Sequence, residues 1–226
     1  MRTSLVITLL ATLLSRTLLA QDKNPSARFE PEIKAFEEAD KKAPPKEGAI
    51  LFVGASGIKL WKTLEKDFPD HRVINRGFGG SQIADAIHFA DRIVIPYKPK
   101  TILLQSGGND INAGKSPEQV AEDFRLFVEK VRGKLPDVRI LFMSLQPSPA
   151  RWSQAEKQKQ TNALIKKQIE AGKNMAYIEA YEAFLTADGK PREELFVADK
   201  LHHNEAGYKI RTQLVLPFLK GEEEKK

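Results

Sequence analysis

The sequence predicts a single α/β domain built on a mostly parallel, helix-covered sheet of five strands. Two observations carry this. The 226 residues are 41% hydrophobic and 29% charged, enough apolar material for one sizeable core and unlike a disordered or collagen-like chain. From residue 49 onward, short apolar runs alternate with longer amphipathic stretches, as strands joined by crossover helices do, and no repeat or linker divides them.

Taken in order, residues 1–20 read as a secretory signal peptide: Arg2, an apolar run over 5–14, then Arg16 and a cleavage point after Ala20. The run falls short of the roughly 20 residues that span a bilayer, although an uncleaved anchor is the alternative reading. The mature chain is therefore expected to be secreted or periplasmic, without a membrane span. Residues 21–48 form a helical extension in which Phe29, Ile33 and Phe36 recur at helical spacing before Pro44 and Pro45 close it. Strands are expected over 49–53, 72–75, 101–105, 138–144 and 175–179, with helices around 60–68, 83–93, 117–135 and 154–172. Ser116 before Pro117 marks one helix start, and Ser153 with Glu156 has capping-box spacing at another. A last helix begins after Asn204 and offers Tyr208, Leu214, Val215 and Phe218 to the core, with Pro217 expected to kink or end it. The main domain thus covers 49–219, followed by a charged tail over 220–226.

The chain has no cysteine, which excludes disulfides, thiolate nucleophiles, cysteine zinc sites and a lipid anchor. Its four histidines are His71, His88, His202 and His203, so any imidazole chemistry uses one of these. The formal charge of +6 falls to +4 without Arg2 and Arg16 and is spread along helical faces. No basic strip interleaved with aromatics accompanies it, so a nucleic-acid partner is not expected.

Ligands of parallel sheets bind at the carboxyl ends of strands, so the residues after each strand are the candidate site. Gly54-Ala55-Ser56-Gly57 follows the first strand and presents Ser56 at a strand-to-helix turn, as a nucleophile or as a plain helix cap. Arg76-Gly77-Phe78-Gly79-Gly80-Ser81 follows the second and offers backbone N–H groups to developing negative charge, without matching a nucleotide-binding pattern. Ser106-Gly107-Gly108-Asn109-Asp110 follows the third, where Asn109 is an oxyanion donor or a turn residue. Gln146-Pro147-Ser148-Pro149-Ala150-Arg151-Trp152 follows the fourth; Arg151 and Trp152 can bind a polar substrate such as a sugar, or Trp152 can pack on the next helix. Asp199-Lys200-Leu201-His202-His203 spaces a carboxylate three residues before an imidazole, the arrangement of an oriented general base.

The blocks Gly54-Ala55-Ser56, Gly77-Phe78-Gly79-Gly80, Gly107-Gly108-Asn109-Asp110 and Asp199-Lys200-Leu201-His202 resemble, in order and spacing, those of the SGNH (GDSL-type) hydrolases. The resemblance runs from about residue 49 to 219. It implies a flavodoxin-like three-layer α/β/α sandwich, with Ser56 as nucleophile, His202 as base and Asp199 as its partner. The oxyanion hole it implies comprises the Ser56 and Gly80 backbone N–H groups, with Gly79 as substitute for Gly80, and the Asn109 side chain. No metal or cofactor is expected. The usual Asp and Leu of the first block are here Ala55 and Gly57, which removes a supporting carboxylate and not a reacting group. His203 is a rival base; His71 and His88 lack an acid at a strand end. The expected function is an exported serine esterase for small esters, such as acetylated carbohydrates. Acyl transfer by the same acyl-enzyme and a non-catalytic carbohydrate-binding module are the alternatives, and the sequence says nothing of oligomeric state.

Overall fold

The computed structural model describes residues 24–221. The expected signal segment and all of the tail but Lys220 and Gly221 lie outside the described residues. The sheet has the expected five strands, and every pairing within it is parallel: β1 (Ile50–Gly54), β2 (Val73–Gly77), β3 (Thr101–Gln105), β4 (Arg139–Met143) and β5 (Met175–Ile178) lie in the order β2-β1-β3-β4-β5. The chain runs outward from β1 to β2, then crosses back to β3 on the other side. That reversal leaves a crevice beyond the ends of β1 and β3, the place where open α/β sheets hold ligands.

Side chains along each strand alternate between two buried clusters. Leu51, Val53, Ile102, Leu104, Ile140 and Phe142 face one layer, and Ile50, Phe52, Leu103, Leu141 and Met143 face the other. The helices are α1 (Glu30–Lys42), α2 (Ser56–Lys59), α3 (Leu64–Asp67), α4 (Ile83–His88), α5 (Ala90–Ile93), α6 (Gly108–Asn112), α7 (Pro117–Arg132), α8 (Ala155–Ala171) and α9 (Glu205–Leu219). Helices α1, α4, α5, α7 and α8 cover the first face, and α2, α3 and α9 the second. The result is a three-layer α/β/α sandwich. Phe29 and Ile33 of the N-terminal extension are buried in the first cluster. The extension is also held by Arg76, which pairs with Asp40, and by Arg92, whose guanidinium donates to Glu37 and Glu30.

Three local expectations are corrected. The helix expected over 60–68 shrinks to α3 at Leu64–Asp67, because Trp61 leaves the helical path to bury against Phe52, Phe68 and Tyr208, while its indole N–H donates to Asp67 at 2.6 Å. The stretch 83–93 breaks at Phe89, whose buried ring meets Phe78 edge-on. Ser153 and Glu156 form no capping box: a 3-10 turn, Pro149–Gln154, occupies that position, and the Glu156 carboxylate accepts from Gln160 instead. The last helix ends at Leu219, two residues after Pro217, and Arg139 donates to the Phe218 carbonyl there at 2.6 Å. Ser116 does cap α7, in a reciprocal box with Gln119.

Candidate active site

Ser56 is the first residue of α2, set there because β1 ends at Gly54 and the extended Ala55 turns the chain. Its backbone N–H makes no backbone hydrogen bond among the described residues. The next carbonyl is gripped from behind: Arg211 Nη1 donates to Gly57 O at 2.7 Å and the Tyr208 hydroxyl donates to it at 3.2 Å. Arg211 also donates to Gln105 Oε1 at 3.3 Å and lies against the rings of both Trp61 and Tyr208. This bracket accounts for Gly57. A Cβ there would stand 2.6 Å from Gln105 Oε1 and 3.2 Å from Arg211 Nη1, so the leucine usual at this position would require both side-chain ends to shift. Arg211 is 1% exposed and has no carboxylate partner among the described residues, and burial lowers its pKa to about 10, so it stays charged at neutral pH.

The loop before α9 supplies the imidazole. The Asp199 carboxylate accepts the backbone N–H groups of Leu201 and His202, both at 2.9 Å, and stands 2.6 Å from His202 Nδ1. These bonds, the His202 N–H first, hold its pKa down to about 2. The other ring nitrogen, Nε2, is 2.9 Å from Ser56 Oγ. With the ring proton on Nδ1, the imidazole donates to Asp199 and accepts from the serine hydroxyl, so it can remove that proton as the oxygen attacks. His203 packs elsewhere, its ring stacked on Phe184 at 4.5 Å and close to Phe196. Burial first, and then Arg211, push its pKa well below 6.5, and no bond joins it to Ser56.

Asn109 reaches the same cleft from the other layer. It lies on α6, a short helix missed in the sequence because Gly-Asn-Asp reads as a turn. Its amide N–H donates to Ser81 O at 3.0 Å, and its Oδ1 accepts from Arg151 Nη2 at 3.0 Å. Below it, the wholly buried Asp110 accepts from the Ile83 N–H and from Lys115, fastening the start of α4 to α6. Burial raises the Asp110 pKa, and Lys115 opposes that rise. Gly80 adopts φ +80°, a conformation that favours glycine; it is exposed and does not line the cleft around Ser56.

The cleft encloses about 90 Å³ and is lined by Ser56, Asn109, Arg151, His202 and Arg211 among others. Ser56, Asn109, Arg151 and His202, predicted from positions far apart in sequence, are therefore brought together, with Asp199 behind the imidazole. Trp152 is not. It is 37% exposed and lines a neighbouring groove with Pro149, Thr186, Asp188, Glu193 and Glu194. Arg211 and Gln105 were missed. The available signal was a charged residue on the stripe Gly207, Tyr208, Arg211, Val215, whose other members read as core-facing. Among the described residues no group of three or more His, Asp or Glu is placed to hold a metal ion.

Residues 53–210 match the model of the GDSL-like lipase/acylhydrolase family. The chain is 26% identical over 176 residues to the human platelet-activating factor acetylhydrolase IB subunit alpha1, covering 72% of this chain and 71% of that protein. Its fold matches a GDSL-like lipase from Bacteroides thetaiotaomicron with a TM-score of 0.68 at 18% identity, over 88% of this chain and 98% of that one. An acetylxylan esterase from Geobacillus stearothermophilus has a TM-score of 0.63 at 16% identity, over 77% and 95% of the two chains.

Proposed function

The chain belongs to the GDSL-like lipase/acylhydrolase family and is a carboxylic ester hydrolase, and from that premise we propose that it is an exported serine esterase for short acyl groups, O-acetyl groups on carbohydrates foremost. The observation that carries the mechanism is the run from Asp199 through His202 to Ser56, with contacts of 2.6 and 2.9 Å. In this reading His202 takes the Ser56 proton as Oγ attacks the ester carbonyl. The carbonyl oxygen becomes an oxyanion facing the Asn109 amide and the backbone N–H of Ser56. His202 then protonates the leaving alcohol, and an acyl-Ser56 remains. Water, deprotonated by His202, attacks that acyl group and releases a carboxylic acid and free serine. Asp199 stays ionised throughout and holds the imidazole that accepts the proton.

The small cleft supports a short acyl group. The names of two similar proteins, an acetylhydrolase and an acetylxylan esterase, support acetyl esters and, in the second case, a carbohydrate carrier. The leader-like segment 1–20 supports export. The test is hydrolysis of 4-nitrophenyl acetate by the wild type and Ser56→Ala, with fluorophosphonate labelling of each. Turnover and labelling are expected only in the wild type, and undiminished turnover by Ser56→Ala would overturn the mechanism. A released peptide ending at Ala20, read by mass spectrometry of the exported protein, tests the leader.

A further inference from the structure

Arg151 stands in the 3-10 turn after β4 and is the half-buried cation nearest to Asn109. Five other arginines, Arg28, Arg76, Arg92, Arg125 and Arg192, each pair with a carboxylate. Arg151 pairs with none among the described residues; its recorded bond goes to the neutral Oδ1 of Asn109. Burial lowers its pKa and no acid offsets that shift. An uncompensated cation is costly to keep in a cleft, and the cost is recovered if negative charge forms nearby during the reaction.

Hydrogen-bond chemistry says how that cation acts. A guanidinium can only donate and the Ser81 carbonyl can only accept. Between them the Asn109 amide has one orientation, Oδ1 toward Arg151 and NH₂ toward Ser81, because a flip would set N–H against N–H and oxygen against oxygen. One amide hydrogen is used by Ser81 and the second is left for a ligand. The turn that carries Arg151 is braced at both ends of the cleft. The Ala150 N–H donates to Lys200 O at 3.0 Å, in the loop of Asp199 and His202, and Gln154 donates to Asn112 at the end of α6 at 2.9 Å.

We propose that Arg151 is a positioning residue of the oxyanion hole: it locks the Asn109 amide and places a full positive charge behind it, where the charge helps the free N–H stabilise the tetrahedral intermediate. This assignment rests on the serine-esterase reading above. It differs from the substrate contact expected from sequence, because a positioning role acts on any ester, including one with no sugar.

The experiment is a double-mutant cycle on 4-nitrophenyl acetate with Arg151→Ala, Asn109→Ala and the pair, together with Arg151→Lys and Ser56→Ala, each checked for an unchanged melting temperature. Arg151→Ala is expected to lower kcat about a hundredfold with KM nearly unchanged, the scale of a misplaced catalytic group. Asn109→Ala should lower it by roughly 10²–10³. The double variant should be no slower than Asn109→Ala, since the arginine acts through the amide. Arg151→Lys keeps the charge without the planar fork and should fall between wild type and Arg151→Ala. Millimolar guanidinium should restore part of the kcat of Arg151→Ala and none in the Asn109→Ala background. A loss confined to KM, losses that multiply in the double variant, or a normal Arg151→Ala beside a crippled Asn109→Ala would overturn the assignment. If Arg151→Ala is misfolded, Arg151→Lys and its pairing with Asn109→Ala complete the same cycle. A fully active Ser56→Ala or Asn109→Ala would instead overturn the esterase reading on which it rests.

Discussion

The two helical layers are made differently. On one face, α7 and α8 run 16 and 17 residues with regular buried stripes, beside the 13-residue α1 and the shorter α4 and α5. On the other, two four-residue helices, two 3-10 turns and α9 carry Ser56 and the loop of His202. Regular helices bury much apolar area per residue, whereas short pieces bury less and can be bent to aim a side chain. The difference teaches that stability and chemistry are drawn largely from opposite faces of one sheet, with Asn109 crossing from the regular side to complete the site.

Substitutions can break or sharpen that division. The largest effect is expected from Ser56→Ala, which should cut ester turnover by about 10⁴-fold or more while urea melts move by less than about 0.5 kcal/mol. Next is Phe124→Ala in the regular layer, where a ring 1% exposed and 5.2 Å from Phe142 is lost. It should cost about 3–5 kcal/mol in chemical denaturation and leave kcat of the folded fraction intact; a collapsed kcat without a stability loss would erase the division. Gly57→Leu tests the irregular layer at a position that is both structural and close to the chemistry. The clash with Gln105 and Arg211 should cost roughly 1–3 kcal/mol and lower kcat through displacement of Ser56.

A smaller, pH-dependent effect comes from His203. Its folded pKa lies below 6.5, so the unfolded chain takes up the proton first. Stability is then whole above pH 6.5 and declines as pH falls below it toward the folded pKa. Melting temperatures of the wild type and His203→Phe across pH 4–8 should diverge in shape, with the variant flatter on the acid side. The smallest effect belongs to the exposed pairs of Arg125 with Glu122 and Glu129 on α7, where Arg125→Gln should lower the melting temperature only slightly, and less in high salt.

Much of this was legible. The strand expected over 101–105 matches β3 to the residue, because a buried parallel strand is an unbroken apolar run between turns. Ser56 and His202 are 146 residues apart, yet strand-end reasoning and the family blocks joined them. Illegible features share one cause: tertiary contacts overrode local pattern. Trp61 was pulled out of a helix by its pocket, and Arg211 was hidden because a periodicity of apolar residues has no place for a cation. The side of the turn to which Trp152 points depends on backbone angles in Pro149–Gln154, where Arg151 departs from the helical region at φ −123°.

The hold on α1 has a consequence for the order of assembly. Its acidic residues engage Arg76, Arg92 and Tyr97, separated from them in sequence by 36 to 62 positions. A 13-residue helix is marginal in water by itself. Most of what holds α1 lies at β2 and beyond it, so the helix is secured only once those segments are in place. Docking α1 therefore closes loops of tens of residues, and the contacts it makes must offset the chain entropy lost in closing them.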